Sequence, residues 1–231
     1  MISVIIPTFN EEASLEGLLQ QLAARATPHE VLVADGASTD GTVPLAQRYA
    51  RVLNCQRNRG GQLNCAAREA CGEVLLFLHA DVRLPPGALA AVERGLADPA
   101  VVGGNFGLEF AGGDFSDRVF AVISRWRRWF GIFYGDSGIF VRRAVFDRLG
   151  GFREWPLMED YEFARRLVKT GKTVCLSERL WVSSRRWQRR RLWRTLTSWF
   201  FIHTLYYLGV SPHWLVRWYA PVRPKSAERK E

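Results

Sequence analysis

The sequence predicts an α/β fold with a mostly parallel central sheet flanked by helices, and three observations lead there. Short β-branched apolar runs, Val4–Ile6, Val31–Val33 and Val74–Leu78, are each followed by a polar or glycine break. Helical patterns separate these runs, and strands alternating with helices are joined by right-handed crossovers that leave the strands parallel. Acidic residues then stand at successive strand ends: Glu11 and Glu12 after the first, Asp35 after the second, Asp81 after the third. Open sheets of this type hold ligands outside the carboxyl ends of their strands, so these carboxylates mark the functional edge.

Taken in order, the chain opens with Ser3 to Asn10, Ser-Val-Ile-Ile-Pro-Thr-Phe-Asn, a buried strand whose apolar run is stopped by Pro7. Leu15, Leu18, Leu19 and Leu22 form one helical stripe behind Asn10, the expected N-cap. Ser38 or Asp40 is placed to cap the next helix, and the Ala-rich stretch from Gln62 to Cys71 reads as a third. The first half is therefore a Rossmann-like nucleotide-binding unit. In the second half Val101 to Phe110 predicts a strand pair or a bent strand, and Gly138 to Val141 a further strand. Helices are expected over Phe115 to Phe130 and Tyr161 to Thr170, the latter starting near Glu159 and Asp160. An acceptor site belongs in this half.

The 231 residues suffice for one large core. No repeat and no Gly/Ser or Pro-rich linker divides them, so one domain is expected over residues 1–187. A basic aromatic helical extension should follow over 188–222, packed on that domain or on a membrane, and then a frayed polar tail over 223–231. The net charge of +9 favours anionic partners without choosing among phosphates, nucleic acid and an acidic membrane face. Cys55, Cys65, Cys71 and Cys175 match no zinc or redox spacing and are expected to be buried, reduced thiols. Met1 leads straight into the first strand and no uncharged apolar run reaches about 18 residues, so the expectation is a cytoplasmic protein, with the inner face of the cell membrane as a site of association.

Four segments carry the chemistry: Pro7-Thr8-Phe9-Asn10-Glu11-Glu12, Ala34-Asp35-Gly36-Ala37-Ser38-Thr39-Asp40-Gly41-Thr42, Leu78-His79-Ala80-Asp81, and Met158-Glu159-Asp160-Tyr161-Glu162. In order and spacing they resemble the motifs of family 2 glycosyltransferases with the GT-A fold, over about residues 1–187. Within that family the likeness is to small bacterial members carrying Leu-His-Ala-Asp and a Gly-Asp-x-Gly-Ile-Phe-x-Arg-Arg segment, here Gly135 to Arg143.

Read as chemistry, Asp35 at a strand end is able to accept a hydrogen bond from a nucleobase imide while Phe9 offers a stacking face. The resemblance assigns uridine recognition to Pro7, Phe9, Glu11 and Asp35. The structural alternative is that Phe9 is core and Asp35 shapes its turn. Asp81 follows a buried run, so its carboxylate should reach solvent, where one carboxylate with two diphosphate oxygens and water holds Mg²⁺ or Mn²⁺. Relatives often carry Asp-x-Asp at this place, whereas this chain has His79 first. The metal contact therefore falls to Asp81 alone, and His79 is expected against ribose or phosphate. A helix cap for Asp81 and a packed histidine for His79 are the structural alternatives.

Glu159 and Asp160 pair two carboxylates at a helix start, where the helix dipole favours negative charge, and the resemblance makes Asp160 the catalytic base. Two solvated helix-end charges are the alternative. Asn58 to Asn64, with Arg59, Gly60, Gly61 and Gln62, suits phosphate or the nucleotide rim, with an ordinary loop as the competing reading. Asp136, in Gly135-Asp136-Ser137-Gly138, is expected to line the sugar pocket, although a tight turn explains the glycines equally well. Arg186 and Trp187 are assigned to the acceptor or diphosphate side with Asp136 and Glu159.

From Arg185 to Leu208 an arginine-rich run leads into an aromatic helix, and Val119 to Phe133 repeats the theme. An anionic membrane surface, a homodimer or intramolecular packing surface, and nucleic acid all fit such a composition, nucleic acid least because the motifs point to a small molecule. The expected function is metal-dependent transfer of a sugar from a nucleotide diphosphate donor to an acceptor hydroxyl, with a UDP-linked donor and inversion both implied by the resemblance. A nucleotidyltransferase acting on a sugar phosphate and a non-enzymatic membrane or nucleic-acid module are the alternatives.

Overall fold

The computed structural model describes residues 1–110, 122, 133–182 and 192–218. Outside these lie Arg186, Trp187, the residues after 218, and all but Val122 of the helix expected over Phe115 to Phe130.

In chain order the elements are β1 (Ile2–Thr8), α1 (Glu12–Ala23), β2 (His29–Asp35), α2 (Thr42–Ala46), β3 (Arg51–Asn54), α3 (Arg59–Glu69), β4 (Val74–Phe77), β5 (Val82–Arg83) and α4 (Ala88–Gly95). There follow β6 (Val101–Phe110), a 3-10 turn over Gly135–Ser137, β7 (Ile139–Arg142), α5 (Arg143–Leu149), α6 (Glu159–Thr170), β8 (Lys172–Val182), α7 (Leu192–Tyr207) and the single turn α8 (Pro212–Leu215). These strands join one sheet in the order β3-β2-β1-β4-β7-β6-β8-β5. The first four are mutually parallel, so the carboxyl ends of β1, β2, β3 and β4 share one edge. Strand β7 runs antiparallel to β4 with Ile139 opposite Phe77, which brings the turn before β7 to that same edge.

The side chains of β1 show why its run is apolar on both faces. Ile2, Val4 and Ile6 pack into a cluster with α1, α2 and α4, while Ile5 points into the opposite cluster with α3, α5 and α6. A strand covered on both faces reads as continuous hydrophobic sequence, because both halves of its period-two alternation are buried. Pro7 is tolerated in this central strand because the ladder to β4 stops at Ile5 opposite Phe77, leaving β2 as its partner beyond. The bent strand expected over Val101 to Phe110 is a single long β6 whose register against β8 shifts twice.

Two expectations are corrected. Asn10 does not cap α1: the residue before that helix is Glu11, which makes no side-chain capping bond, and Asn10 adopts a left-handed conformation (φ 56°) instead. The cysteines are not four buried thiols either. Cys55, just beyond β3, is disulfide-bonded to Cys65 in the second turn of α3, with their Cα atoms 6.3 Å apart, and Cys71 and Cys175 are exposed. The β3–α3 connection folds back on itself and brings within bridging range two residues whose spacing matches no familiar cysteine motif.

Candidate active site

The loops leaving β1 and β2 are laced together. Thr8 Oγ1 donates to Asp35 Oδ1 (3.0 Å), Asn10 N donates to Ser38 Oγ (2.9 Å), and Thr39 N donates to Asn10 Oδ1 (2.8 Å). Farther along, Glu11 N donates to Thr42 Oγ1 (2.9 Å) and Gly41 N to Glu12 Oε2 (3.0 Å), while Asp40 Oδ1 accepts from Thr42 N (3.0 Å). Asp40 rather than Ser38 therefore takes the amide at the start of α2. Loops tied by this many side-chain bonds form one rigid rim.

Among the described residues three non-glycine residues have positive φ, each within two residues of a motif residue: Asn10 (56°) follows Phe9, Ala37 (64°) lies two residues after Asp35, and Met158 (69°) precedes Glu159. Such conformations cost on the order of 1–3 kcal/mol and persist where the surroundings impose them, which is characteristic of binding and catalytic sites. The strain maps onto the carboxyl edge of the sheet.

Asp35 is almost fully buried. Its Oδ1 accepts from Thr8 and from Ser38 Oγ (2.5 Å), and its Oδ2 accepts from Ser38 N (2.8 Å). A carboxylate has about four acceptor positions, so one on Oδ2 is left over for a ligand. Gln62 is buried and its Nε2 is committed to Thr8 O (2.8 Å) and Ala34 O (2.7 Å), which braces the ends of β1 and β2 against α3. Phe9 is half-buried beneath the guanidinium of Arg57, which lies 3.5 Å from its ring centroid. Arg57 belongs to no motif in the sequence; its place between Cys55 and the Asn58 cap of α3 is what aims it back at β1.

The end of β4 carries His79, half-buried, and Asp81, exposed, in the turn to β5, so Asp81 caps no helix. Among the described residues no three His, Cys, Asp or Glu side chains form a metal-holding group. At the start of α3, Asn58 Oδ1 accepts from Gly61 N (2.9 Å), and Arg59 reaches out to contact both His79 and Glu159. Arg59 Nε is 3.3 Å from Glu159 Oε1, an ion pair without hydrogen-bond alignment. Arg59 thus joins the start of α3, the end of β4 and the start of α6.

Glu159 and Asp160 occupy different environments although adjacent. Burial pushes the Glu159 carboxyl up, to about 7, with the neighbouring Asp160 carboxylate adding to the rise and Arg59 opposing it. Asp160 is half-buried and accepts from Gly135 N on Oδ2 (2.7 Å) and from Tyr161 N on Oδ1 (2.7 Å). Gly135 lets this corner close tightly: a Cβ would sit 2.8 Å from an Arg59 nitrogen and 3.0 Å from Asp160 Oδ2, so those side chains would have to shift. Asp136 follows in the 3-10 turn that leads into β7. Behind this corner Tyr134 stacks on Tyr161 (5.4 Å between centroids) and its hydroxyl bonds His203 of α7 (2.7 Å), contacts that no sequence pattern announces.

The fold and this edge define an α/β domain of the GT-A type. The model for glycosyl transferase family 2 matches residues 3–186, and the chain belongs to that family. Among curated relatives, a poly(ribitol-phosphate) β-N-acetylglucosaminyltransferase, TarS, of Staphylococcus aureus is 38% identical over 90 residues, 34% of this chain and 16% of its own length. An undecaprenyl-phosphate 4-deoxy-4-formamido-L-arabinose transferase of Pseudomonas aeruginosa is 29% identical over 143 residues, 56% of this chain and 39% of its own. The chain thus spans well under half the length of these relatives. Of solved structures, the mannosyltransferase PcManGT of Pyrobaculum calidifontis, in complex with GDP-Man and Mn²⁺, superposes with a TM-score of 0.68 at 24% identity, covering 87% of this chain and 61% of the other. TarS residues 1–349 with UDP-GlcNAc superposes at 0.63 and 20% identity, covering 80% and 58%. At these identities the superpositions establish a shared fold.

Proposed function

We propose that this chain transfers a glycosyl group from a nucleoside diphosphate sugar, UDP-linked, to an acceptor hydroxyl with inversion at the anomeric carbon. The observation that carries the reading is the convergence at one sheet edge of the buried Asp35 carboxylate, the exposed Asp81 carboxylate and the backbone-held Asp160 carboxylate, with the residues next to the first and last of these segments in left-handed conformations. Relatives that bind UDP-GlcNAc, or GDP-Man with Mn²⁺, share the fold.

In this reading Asp35 uses its remaining Oδ2 position to accept from the nucleobase, with Thr8 and Ser38 fixing its direction. Phe9 stacks on the base, and Pro7 and Glu11 shape the rim. Arg59 and His79 face the diphosphate, Gln62 braces the floor, and Asp136 and Glu159 sit toward the sugar and acceptor. Arg186 and Trp187 are assigned to the same side, outside the described residues. A divalent cation fits Asp81 as one hard oxygen ligand whose other positions are filled by the donor's diphosphate and water, since the described residues offer no larger ligand group. When bound, such an ion offsets charge on the departing diphosphate.

Asp160 takes the proton from the acceptor hydroxyl as that oxygen bonds to the anomeric carbon. The bond from that carbon to the diphosphate oxygen breaks, and its electron pair leaves with UDP. Inversion follows from one displacement with one base. Gly135 N and Tyr161 N hold the carboxylate for the task, and the raised pKa of Glu159 limits its competing negative charge below about pH 7.

The test is incubation with UDP-sugars, and separately with GDP-Man, with and without Mn²⁺, assaying nucleoside diphosphate release and thermal shift. A saturating UDP-sugar at a hundredfold excess over its Kd should stabilise by about 2.7 kcal/mol, a shift of several degrees for a chain of this size. Absence of both stabilisation and UDP release would overturn the proposal, and pyrophosphate release from UTP with a sugar phosphate would replace it with nucleotidyl transfer.

A further inference from the structure

The C-terminal helices are apolar on two faces, and among the described residues only one of them is covered. Ile202 and Leu215 are buried against Met158 and Tyr161, with Leu205, Tyr206 and Val210 packed around them, so α7 and α8 dock behind the Asp160 corner. The opposite side of α7 presents Phe200, Phe201, Thr204, Tyr207 and the adjoining Leu208, at the i, i+1, i+4, i+7, i+8 spacing of a single helical face, with Tyr207 at its edge and its hydroxyl against that of Tyr161. Trp214 and Trp218 extend the surface across α8, and the six large side chains of this surface are between 58% and 76% exposed. A helix that is hydrophobic all round belongs in an apolar environment.

The charge of the chain is concentrated in the same region. Residues 179–231 contain twelve Lys and Arg against two Glu, with no acidic residue between Glu178 and Glu228, whereas residues 1–178 contain 20 Lys and Arg against 21 Asp and Glu. The whole net positive charge therefore resides in the segment that contains α7 and α8. Arg217 lies over the Trp214 ring at 4.3 Å, a cation within the exposed surface itself.

We propose that the exposed α7–α8 surface docks on an anionic phospholipid bilayer, with Phe200, Phe201, Leu208, Trp214 and Trp218 entering the headgroup and upper acyl region and Arg217 pairing with lipid phosphates, while the net positive charge of residues 179–231 draws the chain to the anionic surface. Helix α7 has 16 residues and is about 24 Å long, shorter than a hydrocarbon core, and among the described residues no helix is long and apolar enough to cross a membrane. It lies along the interface. A two-fold dimer through this face would bring together two copies of the strongly basic segment, which disfavours self-association. Nucleic acid is disfavoured because the described surface is dominated by bulky apolar side chains, with Arg165 over Tyr207 and Arg217 over Trp214 as its described cations, where binding a polyphosphate backbone needs many. This inference does not depend on the proposed reaction.

The experiment is flotation of the full chain with neutral phosphatidylcholine vesicles and with vesicles containing phosphatidylglycerol, for wild type, Trp214→Ser/Trp218→Ser and Phe200→Ser/Phe201→Ser. All four residues are exposed, so both variants should keep the wild-type fold by circular dichroism. Partitioning should be at least about tenfold stronger on the anionic vesicles, fall with added salt, and drop severalfold in both double variants. Equal partitioning on the two vesicle types, or wild-type partitioning by both variants, would overturn the proposal. So would a dimer seen by light scattering that the variants dissociate without vesicle binding, or duplex DNA binding in place of lipid. UDP-sugar binding measured alongside reports on the proposed reaction separately, since vesicle binding is expected whichever way that result falls.

Discussion

Replacing Glu159 with Gln should change the pH dependence of stability in a direction opposite to that of an ordinary surface carboxylate. The Glu159 carboxyl is raised from 4.5 to about 7, chiefly because it is buried, and each pH unit separating the folded from the unfolded pKa corresponds to about 1.4 kcal/mol. Below pH 4.5 the group is protonated in both folded and unfolded chains and contributes no pH dependence. Between about 4.5 and 7 the unfolded chain releases the proton while the folded chain keeps it, so the unfolded state binds fewer protons and stability falls as pH rises. The accumulated loss above pH 7 is about 3 kcal/mol, a large share of the roughly 5–15 kcal/mol of a typical domain. Glutamine keeps the size and neutrality of the protonated acid, so Glu159→Gln should match wild type near pH 4.5 and gain on it by about 3 kcal/mol at about pH 7.5. Urea unfolding followed by tryptophan fluorescence at several pH values measures the difference directly. Parallel pH profiles for the two proteins, or a variant less stable than wild type above neutrality, would refute the assignment of a buried, protonated Glu159.

Three further outcomes follow from contacts described above. Cys55→Ser/Cys65→Ser should lower stability by about 3 kcal/mol on the loop-closure relation for a sequence separation of 10, read as a lower melting temperature, and thiol titration of the native wild type should find Cys71 and Cys175 only. Gly135→Ala should push Arg59 and Asp160 from their positions and reduce kcat by about tenfold or more with a smaller effect on UDP affinity, measured by steady-state kinetics and calorimetry. Asp35→Asn should weaken UDP affinity by about tenfold or more while leaving the divalent-ion dependence of the remaining binding intact, because it alters the nucleobase end and not Asp81; calorimetry with and without Mn²⁺ reads both.

The strand ends are legible because β1, β2 and β4 are buried on both faces and announce themselves as apolar runs. Strands β3 and β8 carry no such signal. In β8, Lys172 to Val182, charged and polar residues occupy most exposed positions, and β3 is four residues long, so neither stands out from its surroundings. Motif residues can be located from sequence but their partners cannot: that Asn10 turns left-handed to receive Thr39, that Gln62 braces two strands, and that Arg57 covers Phe9 all depend on loops brought together by the sheet. The Cys55–Cys65 bridge is hidden for the same reason. The basic aromatic character of the C-terminal segment is visible in composition. Which of its residues pack against Tyr161 and which face outward is decided only once the helix is docked.

The central claim is that Asp160 acts as the base for transfer from a nucleotide sugar. Asp160→Asn preserves the side chain's shape and one acceptor for Gly135 N while removing the basic carboxylate. Turnover measured by UDP release with a UDP-sugar donor and an acceptor that supports wild-type transfer, alongside UDP affinity by calorimetry, should show a fall in kcat of about a hundredfold or more with Kd within a fewfold of wild type. Transfer near the wild-type rate, or a loss of UDP affinity equal to the loss of turnover, would contradict the account.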